Sequence, residues 1–314
     1  MINNFSCSSS WNVHKAEMKD FSGYDMLKEI KELGFNQVEL NYNVTEQMIR
    51  EMYPLIESGQ MTVSSLHNVC PKASPEFGPS SVFLGFEDND KRRQAIEYTI
   101  RTVEYANRLD AEAIVIHSSK VIVCPEDDGY YNDKLRRVYL NDGVESQAYS
   151  QLFEEAISLR QRFNLVHTEL IINSLEEICN YMAKKNIHVK LGLENRANYH
   201  EIPNSDEYEM IFTGLQGAPV YMWYDIGHGE MLDRLKTFDG HKVLEKYKDK
   251  LLGVHIHDLN ENFEDHFAPY TKSNVLDNYL EYIHTAQIKV LELCQYNTPE
   301  MIKSGVSELI RRLN

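Results

Sequence analysis

Six histidines and acids sit at or near the ends of six short apolar runs: His67, His117, Glu194, Asp225, His255 and Glu292. Imidazole and carboxylate are ligands for divalent cations. Side chains alternate along an extended chain, so residues two apart share a face. One face carries Val63, Ser65 and His67; the next carries Ala113, Val115 and His117. Then come Lys190, Gly192 and Glu194, Trp223 and Asp225, Gly253, His255 and His257, and Val290, Glu292 and Cys294. The opposite faces are apolar, as in Ile114/Ile116, Leu191/Leu193, Val254/Ile256 and Leu291/Leu293. A lone strand histidine is ordinarily a hydrogen-bonded core residue, and a lone strand-end carboxylate caps the next helix. Six in matching positions are different. Titratable groups crowded into one mouth are costly unless compensated, and a divalent cation compensates them. Zn²⁺ or Mn²⁺ suits such a set best, with Fe²⁺, Mg²⁺ and Co²⁺ as alternatives and Ca²⁺ less suited. Three more imidazoles lie close by. His228 follows Asp225 in a glycine-bearing turn, His266 lies in the loop after the seventh strand, and His257 is one layer out from His255. They read as ligands, substrate contacts or hydrogen-bonding supports.

Positioning such a row requires strands that all end on one side. The runs 4–9, 37–40, 62–67, 113–117, 190–194, 220–225, 252–257 and 289–294 read as eight strands. Helix-period stretches separate them, among them 24–33, 91–108, 174–185 and 299–313. Gly34 is placed as a C-cap and Thr298-Pro299 as an N-cap with proline in the first turn. Alternating strands and helices predict an α/β fold, a (β/α)8 barrel over residues 1–314 as one domain. Two stretches read as loops over the mouth. One is 69–90 after strand three; the longer is 118–146 after strand four, with Tyr130, Tyr131 and Tyr139. In the longer one, Lys120, Arg136 and Arg137 read as a solvated face.

The 314 residues carry a net charge of −16, which repels phosphate backbones and disfavours nucleic acid. No apolar run reaches the roughly 18 residues of a membrane span, and residues 1–15 do not read as a signal peptide. Five widely spaced cysteines without a Cys-x-x-Cys predict a reducing, cytoplasmic setting. Homo-oligomerisation is left open.

The motifs Ser65-Leu66-His67, Val115-Ile116-His117, Gly192-Leu193-Glu194-Asn195-Arg196, Tyr224-Asp225-Ile226-Gly227-His228, Gly253-Val254-His255-Ile256-His257-Asp258, Asp265-His266-Phe267-Ala268-Pro269 and Leu291-Glu292-Leu293 run from strand three to strand eight. With them the chain resembles the xylose isomerase-like TIM barrel superfamily, which includes sugar-phosphate isomerases and epimerases and endonuclease IV. The resemblance implies a four-ligand metal site of Glu194, Asp225, His255 and Glu292. It also implies that the two glutamates form the acid/base pair and that His228 contacts substrate. The endonuclease branch implies further ligands at His67, His117, His228 and His266, for up to three zinc ions. The sequence departs from the family at Glu264, where an aspartate is usual, and after Pro269, where Tyr270-Thr271-Lys272-Ser273 replaces a glycine-rich continuation.

The expected activity is isomerisation or epimerisation of a small sugar, polyol or sugar phosphate. The metal acts as a Lewis acid on an enediolate, and Glu194 and Glu292 move the proton alpha to the carbonyl. Arg196 is a candidate to hold a phosphate or carboxylate, and His257 a candidate substrate contact. Alternatives are a zinc-dependent phosphodiesterase on abasic DNA, a related metal-dependent lyase or dehydratase, and a non-catalytic binding protein on the same barrel.

Overall fold

All eight expected strands form, in a computed structural model that describes residues 2–18, 21–73, 83–124 and 129–314. They are β1 (Ser6–Ser8), β2 (Gln37–Leu40), β3 (Thr62–His67), β4 (Ala113–Ile116), β6 (Lys190–Glu194), β8 (Val220–Asp225), β9 (Leu251–Ile256) and β10 (Ile288–Leu291). Two short segments, β5 (Ser119–Lys120) and β7 (Glu201–Ile202), pair with each other as an antiparallel ribbon. The eight close into a parallel barrel in the order β1, β2, β3, β4, β6, β8, β9, β10. Four runs read as longer strands stop early: the strand assignments end at Ser8, Ile116, Ile256 and Leu291. His117, His257 and Glu292 therefore stand just beyond their strands.

Helices cover the barrel: α1 (Gly23–Glu32), α2 (Glu46–Glu57), α3 (Asn89–Arg108), α4 (Tyr130–Asp142), α5 (Gln147–Gln161), α6 (Asn164–Lys185), α7 (Ser205–Gly214), α8 (Ile226–Arg234), α9 (Gly240–Lys246), α10 (Leu280–Thr285) and α11 (Pro299–Leu313). Local chemistry sets their ends. Ser22 and Asp25 form a capping box at the start of α1, and Gly34 follows its end at φ +104°. Thr298 accepts the Met301 amide hydrogen at the start of α11, with Pro299 in the first turn. The stretch 118–146 is a correction to the sequence reading. It is not a plain loop but contains β5 and α4, and α4 buries Tyr131 and Leu135 one turn apart. Residues 74–82 of the loop after β3 and 125–128 of this stretch lie outside the described residues.

Apart from Leu252, which joins the interior where the β8–β9 register shifts, the alternation puts each face where it was expected. Ile114, Ile116, Leu191, Leu193, Val254, Ile256, Leu291 and Leu293 are buried in the cluster shared with the helices. Ala113, Val115, Trp223, Leu252, Ile288 and Val290 form a separate cluster inside the barrel. Trp223 fills the interior because its neighbours give it room. A Cβ on Gly253 would come within 2.4 Å of the indole, and one on Gly192 within 2.9 Å. The Trp223 ring meets the His255 ring edge-on at 5.3 Å, so it is the floor on which the strand-end row rests.

Candidate metal centre

The β8–β9 register places Asp225 opposite His255. Around them Glu194, Asp225, His255 and Glu292 bring one ligand atom each within 4.8 Å of the others, and all four are buried. His255 Nδ1 lies 2.9 Å from Glu194 Oε1, 2.9 Å from Glu292 Oε2 and 3.6 Å from Asp225 Oδ2. The other ring nitrogen is held from behind, with His255 Nε2 3.1 Å from Glu39 Oε1. Glu39 is itself fixed by a hydrogen bond from Ser65 Oγ at 2.8 Å. A carboxylate on one imidazole nitrogen sets the tautomer and aims the other nitrogen's lone pair forward. Glu39 was not among the sequence candidates. Its signal was the same alternation one strand earlier, where Gln37 and Glu39 share a face.

Two further groups adjoin this one. His67, His117 and Glu194 converge on one side, and Asp225, His228, His257 and His266 on the other. His117 Nε2 lies 2.7 Å from Glu194 Oε2 and His67 Nε2 lies 3.7 Å from it. Neither His117 Nε2 nor His67 Nδ1 has a well-formed hydrogen bond among the described residues. A buried imidazole nitrogen without a hydrogen bond, 2.7 Å from a carboxylate oxygen, is what a cation-binding donor set looks like, and the residues fit a divalent ion.

On the far side, His228 Nδ1 is 3.4 Å from Asp225 Oδ2, and the His228 amide donates to Asp225 Oδ1 at 2.7 Å. Asn195 clamps the same turn by accepting from the Asp225 amide and donating to the Asp225 carbonyl. His257 is fully buried and both its nitrogens are engaged. The His266 amide donates to Nδ1 at 3.0 Å, so the ring proton sits on Nε2, which faces Asp225 Oδ1 at 2.9 Å. A substrate has no exposed edge of this ring to touch. His266 stacks on His257 at 4.2 Å and holds φ +57°. Its Nδ1 is 2.8 Å from Asp265 Oδ1. Glu264 points elsewhere: it is exposed and paired with Asn260. Asp258 ties down the unusual loop after Pro269 by accepting from the Lys272 and Ser273 amides at 2.6 and 2.9 Å.

Arg196 does not lie open to an anion. Its Nη1 donates to Glu194 Oε2 at 2.8 Å and its Nε is 3.6 Å from Glu201 Oε1. Two carboxylates therefore already face this guanidinium, whose side chain is 17% exposed. Arg136, read as solvated, is packed instead. It donates to the Ala197 carbonyl, and its guanidinium lies 5.5 Å from the centre of the Phe263 ring. Arg137 is exposed, as expected.

Electrostatics follow the crowding. Burial alone would raise the Glu194 carboxyl, but Arg196, His117 and His255 outweigh it and hold it well below the usual range. Glu292 is likewise held well below that range against burial, chiefly by His255 and His266. Burial works to lower His255, yet Glu292, Glu39 and Glu194 lift it well above an ordinary imidazole. Burial and the neighbouring His117 push His67 down to about 4. Their mutual attraction thus favours the charged forms of the carboxylates and of the central imidazole.

Among curated proteins, the chain is 26% identical over 134 residues to the uncharacterised protein y4fM of Sinorhizobium fredii; the match covers 42% of this chain and only 38% of that relative. The fold matches 3-keto-D-glucoside 4-epimerase, YcjR, of E. coli with a TM-score of 0.65 at 12% identity, covering 98% of this chain and 99% of that one. It also matches D-psicose 3-epimerase of Clostridium cellulolyticum H10 with a TM-score of 0.65 at 12% identity, covering 99% of both chains. The sequence model of the xylose isomerase-like TIM barrel matches residues 27–309. With its strand-end acids and imidazoles gathered in the mouth of an eight-stranded barrel, the chain belongs to the xylose isomerase-like TIM barrel family.

Proposed function

We propose that this protein is a metal-dependent isomerase or epimerase of a small sugar or polyol, free or phosphorylated. One observation carries the reading: two ionised glutamates, Glu194 and Glu292, each place an oxygen 2.9 Å from the same nitrogen of His255. Glu194, Asp225, His255 and Glu292 would hold the ion, with zinc and manganese the best-suited metals. When bound, the ion supplies Lewis-acid polarisation of a carbonyl. The chain's own part is proton transfer. One glutamate takes the proton from the carbon alpha to the carbonyl and later releases it to solvent; the other, having taken a proton from solvent, delivers one. Glu39 and His257 orient His255 and Asp225 without touching substrate. His228 and His266 line the side of Asp225 away from Glu39, where His228 is the candidate substrate contact. The fold neighbours that act on ketoses and keto-glucosides support a carbohydrate substrate. Five free cysteines support a reducing compartment such as the cytoplasm.

The test is a screen of ketoses and their phosphates in D₂O with the metal-loaded protein. Deuterium incorporation at the carbon alpha to the carbonyl is the expected result. No exchange with any ketose, polyol-derived ketone or phosphate would remove the reading.

The gathering of His67, His117, His228 and His266 around the four acids and imidazoles favours a second reading, a zinc phosphodiesterase on abasic DNA. The net charge of −16 opposes it. Nicking of an abasic duplex by the loaded protein would decide for it.

A further inference from the structure

We infer that Arg196 serves as a built-in cation on the His67–His117 side of Glu194, in place of a second metal ion there. The inference rests on the metal-centre reading above. It concerns how many ions the centre takes, not what it turns over.

The two oxygens of Glu194 face different ways. Oε1 looks toward His255 Nδ1 at 2.9 Å, in the central group. Oε2 looks toward the His67–His117 pair, with His117 Nε2 2.7 Å away. Taken alone, Oε2 and the two imidazoles make a three-ligand site. The Arg196 Nη1 hydrogen bond, at 2.8 Å, ends on that same oxygen. Guanidinium is permanently charged and strongly favours carboxylate. A divalent ion on Oε2 would share its ligand with a fixed positive charge in a buried site, where repulsion is poorly screened.

Arg196 is held in place. Its Nε faces Glu201 Oε1 at 3.6 Å, and Glu201 Oε2 is fixed by the Asn198 amide and side chain at 3.0 and 2.8 Å. Glu201 sits on β7, whose only ladder partner among the described residues is β5, with Lys120 opposite Glu201. That ribbon begins two residues after His117. The connection after β4 therefore pairs, through β5, with the segment after β6 that carries the carboxylate beside the arginine. In the central group the oxygen of Glu194 that faces His255 is Oε1, not the one that Arg196 holds.

The experiment counts metal per chain by inductively coupled plasma mass spectrometry, after zinc or manganese loading and desalting. Wild type should carry one ion. Arg196→Gln, which shortens the side chain and removes its charge, should carry two. Arg196→Lys should return to one. His67→Gln in the wild-type background should still carry one, and it decides the matter if Arg196→Gln does not fold. Wild type with two or more ions, wild type with none, a folded Arg196→Gln that stays at one, or a His67→Gln that loses its ion would each overturn the inference. The proposed reaction stands or falls separately: two ions with deuterium exchange removes only the inference, and one ion without exchange removes only the isomerase.

Discussion

Glu39 Oε1 lies 3.1 Å from His255 Nε2, on the far side of the imidazole from the three acids that His255 Nδ1 faces. Both residues are completely buried. The pair fixes which nitrogen is free, so Glu39→Gln should weaken zinc binding about 10- to 100-fold while leaving the ligand atoms untouched. Isothermal titration with zinc measures this directly. An unchanged affinity would mean that the His255 ring is positioned by Trp223 and the strand alone.

If the proposed metal centre is right, protons and metal compete at His255. Burial opposes its protonation, but Glu292, Glu39 and Glu194 hold its pKa well above the ordinary value near 6.5. His266 is raised as well, by Asp265 and Glu292 against its burial. For a raised imidazole, the stabilisation is complete below the unfolded pKa and is lost as pH climbs through the folded one. The metal-stripped chain should therefore lose melting temperature steadily above pH 6.5. The loaded chain, whose ion replaces the proton, should not. Calorimetry of both forms from pH 6 to 9 tests it, and parallel curves would contradict it.

Period-two spacing located nearly all of this site, because a strand leaves no choice about which residues share a face. The eight strands, the inward row and the outward apolar faces were all legible that way. Where hydrogen-bonded ladders stop was not, because it depends on partners distant in sequence, and His117, His257 and Glu292 fall just past the ends. The role of His257 was hidden for a related reason. Only the His266 amide, brought over by a loop at φ +57°, shows which of its nitrogens carries the proton. Arg136 was misread because α4 mixes aromatic and charged residues, and its apolar contacts, Phe263 and Met231, come from other elements. Asp265, not Glu264, meets His266 because the chain turns between them, and turn geometry outweighs a count of residues.

Glu292→Gln keeps the shape of the side chain and one acceptor oxygen but cannot accept the reacting proton. Turnover of any substrate found by the exchange screen should fall by about 10³-fold, with the circular dichroism spectrum unchanged. Ion content should be measured alongside, since Glu292 also faces His255. A variant that keeps its ion and its activity would take Glu292 out of the acid/base pair.

Gly227 is small because of His257. A Cβ there would come within 2.0 Å of His257 Cε1, a fully buried ring hydrogen-bonded on both sides. Neither the ring nor the first turn of α8 has room to yield. Gly227→Ala should cost about 2 kcal/mol of stability and loosen Asp225, so ion affinity should fall with it. Urea denaturation read with and without zinc separates the two effects, and a variant as stable as wild type would show that the turn relaxes freely.

Asp233 lies away from the metal centre, at the C-terminal end of α8, and makes the opposite demand on pH from a salt-bridged acid. Burial, then the neighbouring Glu230 and Asp239, push its pKa up to about 7, against the Gly240 amide and Lys236, which lower it. A carboxyl raised in the folded state costs nothing below its unfolded value of 3.8. As pH climbs from there toward 7, the unfolded chain sheds its proton first and stability drains away; above 7 the loss is complete and flat. Asp233→Asn keeps the oxygen that accepts from Gly240 and removes the charge. It should match wild type near pH 4 and gain about 1–2 kcal/mol by pH 8, less than the full shift implies because the side chain is partly exposed. Chemical denaturation at pH 5, 6, 7 and 8 traces the difference. A gain that is already complete at pH 5, or absent at pH 8, would show that Asp233 titrates as an ordinary surface acid.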